Sequence, residues 1–347
     1  MKRNKRLMVN LILVFVLLLV ISNSVMCAEK VIKWRLQSMG AAGDAMYTAT
    51  EKFAKLVTEA SGGRLVVTAF PAGAITPAGK EFEGTIAGSV EASHVSTGWA
   101  IGYVPAGVFY TSSVGTLTGT QHMMWMEHEG LKFAQELYEP VGVHFVGQLT
   151  VHPAEVWCHT NKPLQSAADI KGLKIRLGTT ALNSIFSKMG AAPVFLPGGE
   201  IYESMQRGVI DAFEYFTPSG NWTMGFQEIA KYMYLSSSRS PFDAQSLFVN
   251  KSKWDELSPD LKAIVEMAAY KVAHEFFTEI AIQDTAAIQK FKDYGVVVEK
   301  LPEDIDKLLF EKAEEYYNEE SQKDANYAKI FKSVFEFKKI CEEIDIR

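Results

Sequence analysis

The chain has 347 residues, 48% of them hydrophobic, and carries 35 basic and 41 acidic residues. This length allows two domains, and this hydrophobic content is ample for two cores. The net charge of −6 argues against nucleic acid as a partner, because nucleic-acid-binding proteins present a basic stripe or patch.

The N-terminus predicts a cleaved secretory signal peptide over residues 1–28. A basic start precedes the apolar run Leu11–Ile21, whose 11 residues are too few to span a membrane, which takes roughly 20. Met26 stands where a lipidation signal before Cys27 needs a small residue, which disfavours a lipid anchor. We therefore expect an exported, periplasmic protein with a net charge of about −10, from 31 basic and 41 acidic residues.

The mature chain opens with a βαβ pattern. Alternating apolar residues predict a strand over Val31–Leu36, and a helical stripe predicts a helix over Ala45–Ala60. Gly62 and Gly63 end this helix, and a second strand follows over Arg64–Phe70.

A similar block occurs twice along the chain. Val66–His94 and Val194–Tyr215 both run as strand, proline-glycine turn, amphipathic helix, glycine and strand start. Two such units predict two α/β lobes, and ligands of such sheets bind outside the carboxyl ends of the strands. The sequence therefore predicts two α/β lobes with the site in the cleft between them.

Turn and helix signals divide the chain further. Ser258 and Pro259 start a long helix that extends to about Lys292; a strand over Val296–Leu301 and more helix follow. The resulting segments are lobe I over 29–143 with a return at about 239–257, lobe II over 144–238, and long helices spanning the hinge and packing on both lobes over 258–347.

No catalytic signature supports an enzyme. GxSxG, HExxH, P-loop and SxxK motifs are missing, and His274–Thr278 lacks the second histidine of a zinc site. Cys158 and His159 would point to opposite faces of a strand, so they make a poor dyad. A secreted hydrolase using Glu155 and Glu214 as a carboxylate pair is the weaker alternative.

The mature chain retains two cysteines, Cys158 and Cys341. Their even number permits a disulfide in an oxidising compartment, but no CxxC or Cys/His metal spacing occurs. Two unpaired thiols are the simpler interpretation.

Three ordered motifs carry a family resemblance: Asp169–Arg176, Gly198–Tyr202 and Gly208–Tyr215. Together with Ser61–Leu65 and Pro71–Gly73, they resemble the DctP-type solute-binding proteins of TRAP (tripartite ATP-independent periplasmic) transporters. The resemblance covers essentially the whole mature chain. It implies the α/β fold of a type II-like two-lobed periplasmic binding protein with a cleft between the lobes. It also implies a non-enzymatic receptor that closes on a small organic acid anion and delivers it to the small and large membrane subunits of the permease.

The resemblance assigns Arg176 to the ligand carboxylate. A planar guanidinium with five donors matches carboxylate geometry in a way that lysine cannot, so the chemistry agrees with the family role. Trp99 matches a pocket aromatic of the family, and an aromatic wall suits a short aliphatic chain. Weaker lining candidates lie near the matched motifs: Trp157, Phe216, Asn221, Trp222 and Phe242.

The nearest subgroup resembles binders of keto and hydroxy acids, in which a metal ion lies beside the ligand. Its glutamine 21 residues before the arginine is Glu155 here, and its Glu-Trp metal ligands are Glu214 and Tyr215. Its third metal carboxylate, 26 residues after the first, is Ser240, preceded by Arg239. Three positions therefore depart from the subgroup pattern.

Two arrangements are compatible with these departures. Glu155 and Glu214 could hold Ca²⁺ or Na⁺ with the ligand's oxygens, because hard cations favour carboxylates. Alternatively, Arg239 supplies the positive charge and no metal is required, because buried carboxylates need compensation.

The sequence leaves the ligand open within a class. A 2-keto or 2-hydroxy monocarboxylate fits the subgroup best. A ligand-binding partner of a membrane sensor shares this fold and is the alternative. Some relatives carry a further C-terminal helix that exchanges between subunits; this chain is predicted to lack it and to be a monomer.

Overall fold

The computed structural model describes residues 31–346, so the predicted signal peptide over 1–28 and Cys27 lie outside the described residues. Within this range, no helix combines the length and the apolar character needed to cross a membrane. The strands are β1 Ile32–Ser38, β2 Leu65–Phe70, β3 Ala92–Val95, β4 Val143–Pro153, β5 Cys158–Thr160, β6 Lys174–Arg176, β7 Ala192–Val194, β8 Ala212–Phe213, β9 Tyr232–Leu235, β10 Phe242–Asn250 and β11 Val297–Lys300. The helices are α1 Ala45–Ala60, α2 Glu81–Ile86, α3 Gly119–Trp125, α4 Leu131–Tyr138, α5 Thr180–Lys188, α6 Ile201–Gln206, α7 Pro218–Thr223, α8 Lys251–Asp255, α9 Pro259–Tyr294, α10 Glu303–Lys323 and α11 Ala325–Glu343.

The strands form two mixed sheets. The first sheet has five strands in the order β2-β1-β3-β10-β4, and the second has six in the order β11-β9-β5-β8-β6-β7. In the first sheet β1 runs parallel to β2 and β3, whereas β10 is antiparallel to β3 and β4. In the second sheet β6 runs parallel to both β7 and β8. Each sheet therefore contains one of the predicted βαβ units.

Two short segments cross between the sheets, after β4 and before β10, and the long helix α9 before β11 makes a third crossing. The two crossing segments lie side by side, because the backbone N–H of Glu155 donates to the carbonyl of Ser240 at 3.2 Å. β4 starts at the predicted lobe boundary of residue 144, but it pairs along its length with β10 of the first sheet. We therefore propose that the change of lobe lies between β4 and β5.

Helix α1 has the bounds that its apolar stripe predicted. Asp44 caps it by accepting a hydrogen bond from the backbone N–H of Met46, and its buried face includes Phe53 and Val57. The following glycines, Gly62 and Gly63, both have positive φ, which returns the chain to β2.

The long helix α9 connects the two sheets. Pro259 begins it, and its last residue is Tyr294, two residues beyond the predicted end at Lys292. Gly295 follows in the left-handed conformation with φ 105°. It packs on β4 of the first sheet and on α7 and β11 near the second. Farther along the chain, α10 packs on α5, and α11 packs on the 3₁₀ turn Pro105–Tyr110. The C-terminal helices thus contact parts of both sheets.

Candidate functional site

The site forms where the second sheet meets the crossing segments. Arg176 is the last residue of β6 and pairs with Phe213 of the parallel strand β8, so Glu214 follows at the same edge of the sheet. Carboxyl ends of parallel strands are the usual ligand site of such sheets. Glu155 and Arg239 come from the two crossing segments and meet this edge.

The guanidinium of Arg176 is held by three acceptors. Nε donates to the carbonyl of Leu196 at 2.9 Å, and Nη1 donates to the carbonyl of Glu214 at 2.8 Å and to its carboxylate Oε1 at 3.0 Å. Arg176 is only 4% exposed. Its Nη2 donates to no group among residues 31–346. The forked guanidinium of Arg176, called the Arg176 fork below, is therefore fixed in place. The two N–H groups of its Nη2 remain for a further acceptor.

Gly178 allows this close packing. Its backbone N–H donates to Oε1 of Glu214. A Cβ at this position would meet that oxygen at 3.2 Å and Nη1 of Arg176 at 3.3 Å. A side chain here would press on the ion pair, so glycine suits the position.

Arg239 lies between the two carboxylates. It is fully buried, and its Nη2 donates to Oε2 of Glu155 at 2.8 Å and to the carbonyl of Val156 at 2.9 Å. Its Nε donates to the carbonyl of Trp157 at 3.1 Å. Nη1 lies 3.0 Å from Oε2 of Glu214, at ion-pair distance but without the alignment of a hydrogen bond. A single guanidinium therefore compensates both carboxylates.

Burial governs the protonation of this cluster. Burial raises the pKa of Glu155 above its ordinary value, and the Arg239 guanidinium opposes that shift. Burial works to lower the pKa of Arg239, but the carboxylates of Glu214 and Glu155 outweigh it and raise that pKa. Because each buried charge is compensated by the others, removing any one of them should destabilise the folded protein.

The geometry does not fit the predicted metal cage of Glu214, Tyr215 and Ser240. Both carboxylate oxygens of Glu214 already face guanidinium groups. The Ser240 hydroxyl donates to the carbonyl of Phe242 at 2.8 Å and is neutral, unlike the carboxylate of the subgroup. Of the two arrangements compatible with the sequence, the contacts favour the one in which Arg239 provides the positive charge.

Two hydrogen bonds link the lobes across the cleft. Nε1 of Trp99 donates to the carbonyl of Gly178 at 3.0 Å, and the hydroxyl of Tyr215 donates to Oδ2 of Asp44 at 3.1 Å. The Trp99 ring also meets Phe195 edge-on, with the ring centroids 6.4 Å apart. The structure therefore shows the two lobes in contact at the site.

A cavity of about 70 Å³ lies beside these residues. Five of the six residues predicted to bind the ligand line it: Trp99, Glu155, Arg176, Glu214 and Tyr215. The sixth, Arg239, lies behind the carboxylates and is absent from the lining. Ser240, predicted as a metal ligand, also lies outside the lining, and its hydroxyl donates to the main chain.

Most of the weaker candidates have other surroundings. Phe216 lines the cavity, but the indole of Trp157 donates to the hydroxyl of Ser238 at 3.1 Å. The remaining three contact other side chains: Asn221 with His159, Trp222 with Phe291, and Phe242 with His122.

Sequence reasoning missed several polar residues of the first lobe that line the cavity: Ser96, Ser112, Asp243 and Gln245. Asp243 offered a signal, because it is the one charged residue within the strand β10. Its carboxylate accepts hydrogen bonds from the backbone N–H of Ser112 at 2.6 Å and from the Gln245 amide at 2.9 Å. The pattern of apolar residues alone does not reveal that the first residues of this strand line the cleft.

A larger cavity of about 360 Å³ lies elsewhere, between α9 and the segment from Met123 to Leu131. Its carboxylate-bearing residues are Glu127 and Glu266, and no lysine or arginine lines it. It is therefore a poor site for an anion. Cys158 and Cys341 are both buried and free, which matches the simpler interpretation of two unpaired thiols.

Comparison with known proteins agrees with the fold. The sequence model of bacterial extracellular solute-binding protein family 7, DctP, matches residues 37–324. A monocarboxylate 2-oxoacid-binding periplasmic protein of Nostoc sp. is 26% identical over 320 residues, 92% of this chain and 87% of that protein.

Solved structures of TRAP solute-binding proteins share both sheets and the long helices. One from Bordetella bronchiseptica, a mixed-occupancy dimer with copurified calcium and picolinate, has a TM-score of 0.85 and 25% identity, covering 88% of this chain and 91% of that one. One from Pseudoalteromonas atlantica with bound sodium and pyruvate has a TM-score of 0.85 and 24% identity, covering 90% and 95%. The predicted α/β fold is confirmed, and the chain belongs to bacterial extracellular solute-binding protein family 7, the DctP family of TRAP transporter receptors.

Proposed function

We propose that this receptor captures a small 2-oxo or 2-hydroxy monocarboxylate in the cleft and delivers it to the two membrane subunits of a TRAP transporter. The observation that carries the proposal is the Arg176 fork. Three protein acceptors fix the guanidinium, but none of residues 31–346 accepts a hydrogen bond from Nη2. The N–H groups of Nη2 therefore remain available to a ligand. A carboxylate oxygen is the acceptor that best matches a charged donor in a buried site.

The cavity volume supports a small ligand. At about 70 Å³, this cavity is much smaller than the ~300–1,000 Å³ of pockets for drug-sized ligands. A three- or four-carbon monocarboxylate has about half as many non-hydrogen atoms as a sugar acid and suits a small cavity better. The Nostoc relative named for 2-oxoacids and the pyruvate-bound neighbour support the same class.

The charge of the cleft bears on whether a metal accompanies the ligand. Structures of two neighbours hold calcium or sodium together with their ligands. Here the Arg239 guanidinium pairs with Glu155 and Glu214 and supplies positive charge on that side of the cleft. We propose that a ligand bound by Arg176 needs no metal at Glu214, Tyr215 and Ser240.

The contacts between the lobes suggest how binding is signalled. The Trp99 and Tyr215 hydrogen bonds form only when the lobes meet, so a ligand that adds contacts to both lobes stabilises this closed state. The permease then recognises the closed receptor on the periplasmic side of the membrane. We retain the monomer as a prediction.

A binding screen tests the proposal. Purified receptor is titrated with pyruvate, lactate, 2-oxobutyrate and a four-carbon dicarboxylate by isothermal titration calorimetry, with pyruvamide as the matched ligand that lacks a carboxylate. We expect saturable binding of at least one monocarboxylate and none of pyruvamide. Arg176→Lys keeps the positive charge but loses the fork, and should weaken binding by roughly 10- to 100-fold, since hydrogen bonds to charged groups contribute ~1.5–3 kcal/mol.

Arg207→Lys is the matched control, because Arg207 is exposed and pairs only with Glu203 on the same helix face. It should leave affinity unchanged. Equal affinity of the Arg176→Lys variant and the wild type would refute the role of Arg176. Failure of every small carboxylate to bind would refute the ligand class.

A further inference from the structure

A second cluster lies behind the cleft wall and centres on His152. This residue is fully buried near the end of β4. Its Nδ1 lies 3.1 Å from the carbonyl oxygen of Pro153. A carbonyl can only accept, so Nδ1 carries the proton and Nε2 presents a lone pair. Burial also lowers the pKa of His152, which keeps the ring neutral.

The lone pair of His152 faces two carboxylates. Nε2 lies 3.9 Å from Oε1 of Glu155 and 3.9 Å from Oδ2 of Asp243. His152, Glu155 and Asp243 thus each contribute one potential ligand atom, and these three atoms lie within 4.8 Å of one another. Within residues 31–346, the buried Nε2 atom has no hydrogen-bond partner. Three electron-rich atoms thus lie close together, and one of them, Oδ2 of Asp243, also accepts a hydrogen bond from the Gln245 amide.

These distances suit a bound cation better than direct contact. At 3.9 Å the atoms are too far apart for a hydrogen bond. A point equidistant from three atoms so spaced lies roughly 2.5 Å from each, close to the ~2.0–2.6 Å of metal bonds to nitrogen and oxygen. A histidine that donates its other ring N–H to a main-chain carbonyl is the usual orientation of a metal ligand.

The two carboxylates are held in position independently of His152. Glu155 is fixed through its other oxygen, Oε2, by Arg239. Asp243 is fixed by the backbone N–H of Ser112 and by the amide of Gln245. The three donor atoms are therefore already organised before any ion binds.

We propose that His152, Glu155 and Asp243 bind a divalent cation in the wall of the cleft. One imidazole nitrogen with two carboxylate oxygens favours a first-row ion such as Mn²⁺ or Zn²⁺. This site is separate from the cage expected at Glu214, Tyr215 and Ser240. It shares no residue with that cage. It does share Glu155 with the alternative in which Glu155 and Glu214 hold a cation, but it uses Oε1 of Glu155, whereas Arg239 contacts Oε2.

Metal binding to the ligand-free receptor tests the proposal. Protein stripped with chelator is titrated with MnCl₂, and free Mn²⁺ is followed by electron paramagnetic resonance. We expect one equivalent to bind. His152→Asn and the isosteric Glu155→Gln should each weaken binding by roughly 10- to 100-fold, the scale of losses at metal-site residues. His159→Asn is the matched control, because His159 is equally buried but contacts Asn221 and Phe213.

Crystals soaked in MnCl₂ provide the location through anomalous scattering. A peak among the three side chains supports the site. No saturable binding by the wild type, undiminished binding by both variants, or a peak elsewhere overturns it. The Mn²⁺ titration contains no organic acid, so it is independent of the screen for carboxylate ligands. If Mn²⁺ binds but no acid does, only the proposed function is refuted. If an acid binds but Mn²⁺ does not, only the metal site is refuted.

Discussion

Replacing Arg239 by methionine should destabilise the receptor strongly. The change removes a fully buried guanidinium while keeping a side chain of similar length. It deletes ion pairs of 2.8 Å to Glu155 and 3.0 Å to Glu214, and two donors to the carbonyls of Trp157 and Val156. Glu155 then stays buried without its guanidinium partner, and Glu214 keeps only its pair with Arg176.

Removing one member of a buried ion pair costs about 3–5 kcal/mol. At ~2 °C or more per kcal/mol for a domain of this size, the melting temperature should fall by at least roughly 6 °C. The loss should be larger at pH 8 than at pH 5. Burial already raises the pKa of Glu155, and losing Arg239 raises it further, so the folded variant binds a proton that higher pH removes.

Differential scanning calorimetry at both pH values measures the effect. Arg207→Met is the control, because its pair with Glu203 is exposed and should contribute at most about 1 kcal/mol. The double variant Arg239→Met with Glu155→Gln should recover part of the loss, since one stranded charge is gone. A fall of less than 2 °C at pH 8, or a double variant equal to the sum of the singles, would refute the reasoning.

Two further predictions concern closure and pH. Trp99→Phe and Tyr215→Phe each remove one hydrogen bond between the lobes, so each should weaken ligand binding by about 0.5–1.5 kcal/mol in calorimetric titrations. Small-angle scattering should show that the free variants are more open than the free wild type. Unchanged affinity in both variants contradicts the closure model. Burial raises the pKa of Glu81 to about 7 from 4.5, so the folded state binds the proton more tightly and stability should fall as pH rises from about 5 to 7. Glu81→Gln should lack this component in urea unfolding at pH 5 and pH 8; an identical pH dependence in variant and wild type would exclude Glu81 as its source.

Local patterns in the sequence determined several parts of the protein. The apolar stripe with its cap and glycines predicted α1, and a serine-proline start predicted α9, because helix period and end signals act over a few residues. These features need no knowledge of distant contacts.

Only the tertiary structure decided how the charges of the cleft pair. Arg239 and Glu155 are 84 residues apart in the sequence, yet they meet where two segments of the chain cross between the sheets. This meeting decides whether a guanidinium or a metal ion compensates the buried carboxylates. The assignment of β4 to the first sheet and the approach of His152 to Asp243 have the same origin. Periodicity identifies which face of a strand is buried, but the partner on that face is set by chain crossings that no local pattern encodes.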